Sequence, residues 1–180
     1  MKALDRVLSG REARARLQKH IFNSAALVMQ VSLNIPGYPK ELSGSRTLVD
    51  VVGFRLSEKI RNNPGQILSW WMLENGAGPA LLFAVQGVVP EKVKKEAMVL
   101  EETPSWGAVL DIDVLLPEGA LSRASFGFPP RRCFLCGHPA KECARTGRHG
   151  IQELREAGER FLLQGLEETG SSRFWRSGSV

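Results

Sequence analysis

Cys133-Phe-Leu-Cys136, Cys143 and His149 place all three cysteines of the chain within eleven residues and add one of its three histidines six positions later. These are the ligand types of a structural Cys3His zinc site. A C-x-x-C turn can bring two thiolates to one Zn²⁺, and Gly137 and Pro139 let the segment fold back on itself. The same residues also fit two other arrangements: three thiols packed without a metal, or His149 acting as a general base. The last competes with the zinc reading, because a metal-bound ring nitrogen cannot also accept a proton.

Upstream, Asp111-Ile-Asp113 interrupts an apolar run. On a strand, residues two apart leave the same face, so both carboxylates would point one way while Leu110, Ile112 and Val114 point to the core. Two adjacent carboxylates repel unless a positive charge stands between them. Mg²⁺ meets that need with hard oxygen ligands and leaves room for substrate phosphates, where it can neutralise an attacked phosphorus and its leaving group. The plain alternative is a pair of aspartates on the solvated face of an edge strand, and a D-x-D pair alone does not choose between the two.

Between the two motifs lie Arg123, Arg131 and Arg132, with Arg145 beyond. The chain has 24 basic and 19 acidic residues. Six of the basic ones and a single acid, Glu142, fall between Arg123 and His149, which leaves eighteen of each elsewhere. The entire net charge of +5 thus resides in this one segment. Such a field suits phosphates or an acidic partner protein. Guanidinium forks match phosphate oxygens, which makes Arg123, Arg131, Arg132 and Arg145 candidate phosphate ligands, with Lys40 after a Pro-Gly turn as a further one. A zinc-stapled nucleic-acid-binding module would also use a basic loop. The aspartate pair, which repels a phosphate backbone unless metal-bound, argues against it, and nucleic acid is not an expected partner.

The elements that must hold these groups follow from periodicity. Residues 11–22 and 45–62 carry helical apolar spacing, and 150–166 form a final amphipathic helix. Residues 25–35, 66–74, 79–86 and 107–115 read as strands, the middle two joined by Asn75-Gly76-Ala77-Gly78. Trp70 and Trp71 would then point to opposite faces. Pro90 opens a short helix to about residue 100. Pro117-Glu118-Gly119 turns the last long strand into a short one at 120–125, and the cysteine segment reads as a loop. The result is one α+β domain over residues 1–170, with a mainly antiparallel sheet, flanking helices and a C-terminal Cys/His loop followed by a helix. Residues 171–180, rich in Ser, Gly and Arg, read as a mobile tail.

The 180 residues suffice for one core. Hydrophobic content of 43% and charged content of 24% are those of a globular protein. There is no apolar run long enough to span a bilayer, so no membrane partner is expected. An odd cysteine count and the lack of a secretory leader point to a reducing, cytoplasmic setting.

Taken together, Trp106-Gly107 through Asp111-Ile-Asp113-Val, Leu-Pro-Glu-Gly, Leu121-Ser122-Arg123, Pro-Pro-Arg131-Arg132-Cys-Phe-Leu-Cys and Cys143-Ala-Arg145…His149 resemble the apo-citrate lyase phosphoribosyl-dephospho-CoA transferases, or holo-citrate lyase synthases. Gly10-Arg11-Glu12-Ala13-Arg14 and Ile35-Pro36-Gly37…Lys40 fit the same family more loosely. Ala108-Val109-Leu110 and the tail depart from it without touching the charged residues. The resemblance implies a nucleotidyltransferase-type enzyme. It would move the phosphoribosyl-dephospho-CoA group from triphosphoribosyl-dephospho-CoA to a serine of the citrate lyase acyl carrier (gamma) subunit, releasing pyrophosphate. In that reaction Asp111 and Asp113 would be catalytic. An equivalent modifier of the malonate decarboxylase carrier would differ only in the carrier it accepts.

Overall fold

Leu27, Met29 and Val31 alternate with Val28, Gln30 and Ser32, yet both sets are buried. Strand β1 (Leu27–Leu33) can bury both faces because it lies inside a sheet covered on each side. The computed structural model describes residues 2–62 and 64–170; the expected tail lies outside the described residues. Its five strands are ordered β2-β3-β1-β4-β5, every neighbouring pair antiparallel. The others are β2 (Gln66–Asn75), β3 (Gly78–Gln86), β4 (Leu110–Leu116) and β5 (Gly119–Ala120). The α+β expectation holds. No helix of the described residues is long and apolar enough to cross a membrane.

One face carries the larger core. Helices α2 (Ser45–Arg61), α3 (Pro90–Glu102) and α5 (Ile151–Thr169) flank it. Leu48, Leu56, Leu81, Phe83, Trp106, Leu110, Ile112 and Val114 fill it. Each large apolar side chain buried here contributes about 1.5–3 kcal/mol. Trp106 is the anchor for α5: a Cβ added at Gly165 would stand 3.0 Å from its indole ring, and its Nε1 donates to Glu168 Oε2 at 2.6 Å. The opposite face is covered by α1 (Ala3–Ile21), which lies over β2 and β3. Small residues there, Ala80 and Ala84, let Ile21 and Leu17 approach the sheet. Trp71 packs on this side and Trp70 on the other, as alternation requires. Gly10 lets α1 rest on the β2–β3 hairpin, since a Cβ there would come within 2.3 Å of Asn75 Oδ1.

Several elements differ from expectation. Helix α1 begins at Ala3, a full two turns before the apolar stripe that marks residues 11–22. Residues 105–109 form a 3-10 turn that delivers Trp106 and Val109 to the core before β4 begins. The strand expected at 120–125 stops at Ala120: Ser122 accepts a hydrogen bond from the Ala124 amide through its side chain and starts a 3-10 turn at Arg123–Phe126. The cysteine segment contains a short helix, α4 (Ala140–Thr146), which Gly147 ends in the left-handed conformation.

Because β5 is only two residues long, β4 exposes an unpaired edge at residues 110–112. That edge is closed by side chains. Arg131 Nη1 donates to the Leu110 carbonyl at 2.7 Å. Glu101 Oε1 accepts from the Ile112 amide at 2.8 Å. Lys94 Nζ donates to the Ile112 carbonyl at 3.0 Å. Buried backbone groups must find partners somewhere, and here charged side chains take the place of a sixth strand. Glu101→Ala would strand the Ile112 amide and leave two arginines without their buried counter-charge. We expect it to lose about 3 kcal/mol of stability in urea unfolding; a loss below the error of the measurement would show that the edge does not depend on it.

Candidate active site

Asp111 and Asp113 leave the β4 face covered by α1, as the D-x-D alternation predicts, and Leu110, Ile112 and Val114 are buried on the other. Opposite them on β1 stand Ser32 and Gln30. Gln30 Nε2 donates to Asp113 Oδ2 at 3.3 Å, and Gln18 of α1 donates to Gln30 Oε1 at 2.9 Å. An amide relay thus fixes Asp113 to the helix above it. Burial, then the charge of Asp111, pushes the Asp113 carboxyl up to about 6 from its ordinary 3.8. A second α1 residue, Arg14, feels both carboxylates; burial lowers its pKa while Asp111 and Asp113 oppose that.

The arginines expected to bind phosphate divide into two groups. Arg131 Nη2 is 3.2 Å from Asp111 Oδ1 and also pairs with Glu101. Arg123 Nη2 lies 2.8 Å from Glu102 and 3.4 Å from Glu101. Both therefore meet carboxylates of α3 before any ligand arrives. Arg132 and Arg145 are exposed. Lys40 is half-buried, and its Nζ donates to the Ile35 carbonyl at 2.7 Å.

Cys133, Cys136, Cys143 and His149 converge: one potential ligand atom from each lies within 4.8 Å of the others. His149 Nε2 is 3.1 Å from Cys136 Sγ, and Cys136 Sγ is 3.5 Å from Cys143 Sγ. The four residues could hold a metal such as zinc. The His138 backbone hydrogen bond, then that of His149, holds the Cys136 thiol down to about 6, while burial pushes Cys143 up to about 11. The Cys133 amide donates to the His138 carbonyl at 2.7 Å, closing the C-x-x-C turn.

A cleft of about 850 Å³ runs between the two motifs. Asp111, Arg123, Arg131, Lys40 and Lys141 give it charge, Ile35, Pro36, Phe128, Phe134 and Leu154 give it an apolar wall, and Cys133, Cys143 and His149 border it. Asp111 faces this space; Asp113 lies behind it, under α1. A charged floor beside an apolar wall suits a ligand with anionic groups at one end and an apolar or aromatic part at the other.

The family model for apo-citrate lyase phosphoribosyl-dephospho-CoA transferase matches residues 2–164. This chain belongs to that family. Its members are transferase enzymes, and every site residue described above lies inside the matched span. A Vibrio cholerae protein named "Probable apo-citrate lyase phosphoribosyl-dephospho-CoA transferase" is 30% identical over 155 residues, covering 84% of this chain and 86% of its own. An Escherichia coli O9:H4 apo-citrate lyase phosphoribosyl-dephospho-CoA transferase is 29% identical over 163 residues, covering 89% and 88%. Protein CitXG of Leuconostoc mesenteroides subsp. cremoris is 32% identical over 155 residues. That match covers 83% of this chain but only 32% of the longer protein.

The sequence reading missed Gln18, Gln30, Arg14 and Glu101. Gln30 and Ser32 had a signal, being polar residues on the even positions of an otherwise apolar strand. Glu101 had none, because its role depends on the packing of α3 against the β4 edge.

Asp113 makes a prediction about the metal-free protein. Well below pH 4 both folded and unfolded chains keep its proton, and at pH 4 the difference between them is still small. Between about 4 and 6 the unfolded chain releases that proton first, and stability falls; above 6 the penalty is complete. Asp113→Asn removes the titration and keeps an acceptor for Gln30. The variant should therefore melt several degrees above the unsubstituted protein at about pH 7.5 and close to it at about pH 4. A difference that does not change with pH would contradict the assignment.

Proposed function

We propose that this protein transfers the phosphoribosyl-dephospho-CoA group from triphosphoribosyl-dephospho-CoA to a serine hydroxyl of the citrate lyase acyl carrier subunit, in the cytoplasm. The observation that carries the reading is Asp111 in the charged lining of a cleft large enough for a nucleotide-like donor, with Asp113 behind it on the same strand face, in a chain of this family. The serine oxygen forms a bond to the innermost phosphorus of the triphosphate, the bond from that phosphorus to pyrophosphate breaks, and the hydroxyl proton passes to a carboxylate.

The donor set fits Mg²⁺. Two carboxylates share one face, and Asp113 is pushed up by burial and by its neighbour, a repulsion that a cation relieves. When bound, Mg²⁺ supplies charge neutralisation at the attacked phosphate. The protein's own groups do the rest. Asp111 faces the cleft with one oxygen held by Arg131, which leaves the other for the serine proton. Arg131 and Arg123 stand beside the reacting phosphate. Arg132 and Arg145, both exposed, are free to meet the donor's outer phosphates or acids of the carrier. The apolar wall holds the dephospho-CoA arm and so orients the phosphorus for attack.

Incubation of the protein with apo-carrier, donor and Mg²⁺ should add the mass of the prosthetic group to the carrier. Asp111→Asn and Asp113→Asn should each lower that rate by about a hundredfold or more while the circular dichroism spectrum stays unchanged. No mass gain on any citrate lyase carrier would refute the reading.

The thiol cluster has a structural part in this scheme: Cys133, Cys136, Cys143 and His149 enclose one Zn²⁺. Protein prepared without chelator should contain about one zinc per chain, and Cys136→Ser should lose both the metal and thermal stability. A stable, active preparation without zinc would return these residues to ordinary packing.

A further inference from the structure

The cations around the acid pair are of two kinds. Arg123 and Arg131 are neutralised by Glu101, Glu102 and Asp111. Arg11, Arg14, Lys40 and Arg155 have no carboxylate at salt-bridge distance among the described residues. Arg14, Lys40 and Arg155 are fixed instead by main-chain carbonyls, which orient a donor without cancelling its charge. Arg14 Nη2 donates to Ala77 and Gly78, both at 2.8 Å. Arg155 Nη1 donates to Pro36 and Pro39, both at 2.8 Å. Lys40 Nζ donates to Ile35 at 2.7 Å.

These four residues come from three parts of the chain, α1, the loop at Lys40 and α5, that meet at one place. Gly78 touches the Lys40 backbone so closely that a Cβ would lie 2.4 Å from its carbonyl oxygen. The Arg155 side chain is 3.5 Å from where a Gly37 Cβ would be. Arg14 lies one turn beyond Gly10, where α1 rests on the same hairpin. The cations also feel one another: after burial, Arg11 and Arg155 lower the pKa of Lys40, and Arg11 lowers that of Arg14. The Arg14 Nε is buried with no hydrogen-bond partner. Glu12, beside Arg11, is directed to Arg16 at 3.8 Å rather than to the group. Like charges packed together with their donors incompletely used cost free energy unless an anion completes the set.

We propose that Arg11, Arg14, Lys40 and Arg155 form the pocket that receives the β- and γ-phosphates of the donor and retains them as the leaving pyrophosphate. The assignment rests on the transferase reading and adds its second half. Asp111 and Arg131 address the phosphorus under attack, and the carbonyl-anchored cations take the charge that departs. Lys40 lines the same cleft as Asp111, so one triphosphate can reach both.

The test uses inorganic tripolyphosphate as the probe, titrated calorimetrically into the full chain as purified without chelator, in buffer free of added Mg²⁺. Tripolyphosphate should bind, and Arg11→Gln combined with Lys40→Gln should weaken it by about tenfold or more, since charge-assisted contacts to phosphate are lost. Both substituted residues lie outside the core, so the fold should survive. Arg14→Lys should also weaken binding, because an ammonium lacks the planar fork that holds two hairpin carbonyls on one side and directs further N–H groups elsewhere. Lys19→Gln with Arg160→Gln removes two exposed charges from the same two helices and should change affinity by less than about threefold. Equal losses in the two double variants would show a diffuse field rather than a pocket and overturn the proposal. So would undiminished tripolyphosphate affinity in Arg11→Gln/Lys40→Gln accompanied by a raised carrier KM, which would make the cluster a docking surface. Carrier modification, measured separately, keeps the two readings apart. Transfer with unchanged phosphate affinity sinks the pocket alone, and a phosphate pocket without transfer sinks the transferase reading alone.

Discussion

Glu101 is the side chain on which the site's geometry turns. Its side chain is 4% exposed, it projects from α3, and it reaches the bare edge of β4. There it accepts the Ile112 amide and meets Arg131 and Arg123. Burial, with the charge of Asp111, raises its pKa more than Arg131, the Ile112 amide and Lys94 together lower it. By that balance the network is no large source of stability in itself. What it provides is position. Arg131 can touch Asp111 only because Glu101 and the Leu110 carbonyl hold its guanidinium at the strand edge, and Arg123 is drawn to the same carboxylate from the next turn of chain. A neutral apolar residue at 101 could fill the space but could not aim two arginines across the edge of a sheet.

The division of the cations follows from this. A carboxylate partner fixes an arginine and cancels its charge; a carbonyl partner fixes it and leaves the charge in place. Arg131 and Arg123, of the first kind, suit a phosphate that is already partly neutralised and must be held in line for attack. Arg14, Lys40 and Arg155 are of the second kind, with Arg11 beside them, and suit full anionic charge. A site that must stabilise both a reacting phosphorus and a leaving pyrophosphate benefits from having both.

Much of this was legible in the sequence, and what escaped did so for physical reasons. Alternation placed Asp111 and Asp113 on one face and Leu110, Ile112 and Val114 on the other, because a buried face admits one register. Ligand chemistry grouped Cys133, Cys136, Cys143 and His149 before any geometry was known. Charge counting found the basic segment but not which of its members keep their charge, since that depends on acids of α3 some twenty to thirty positions earlier in the chain. Arg14 was hidden for a similar reason. Its value comes from the carbonyls of Ala77 and Gly78, more than sixty residues away, and on its own helix it looks like any solvated arginine. Helix α4 was masked by the glycines and prolines on either side of it, which read as loop.

Between Pro117 and Gly150 only Cys143 is buried. Thirty-odd residues cannot be ordered by the burial of one side chain, when each residue fixed costs about 1–2 kcal/mol of backbone entropy. The segment nevertheless delivers Arg123 and Arg131 to the strand edge. Three ties anchor its middle: the Ala140 amide to the Arg131 carbonyl at 2.8 Å, the Arg132–Pro139 bridge, and Phe134 edge-on to Phe161 of α5, ring centroids 5.7 Å apart. All of them start within three residues of the C-x-x-C turn. A zinc ion at the cluster would therefore act on Arg131 through two residues of backbone, and through Arg131 on Asp111. Read this way, the thiol cluster substitutes for the hydrophobic core that the loop lacks, and the distance between a structural metal and the reacting carboxylate is a short run of main chain ending in one guanidinium.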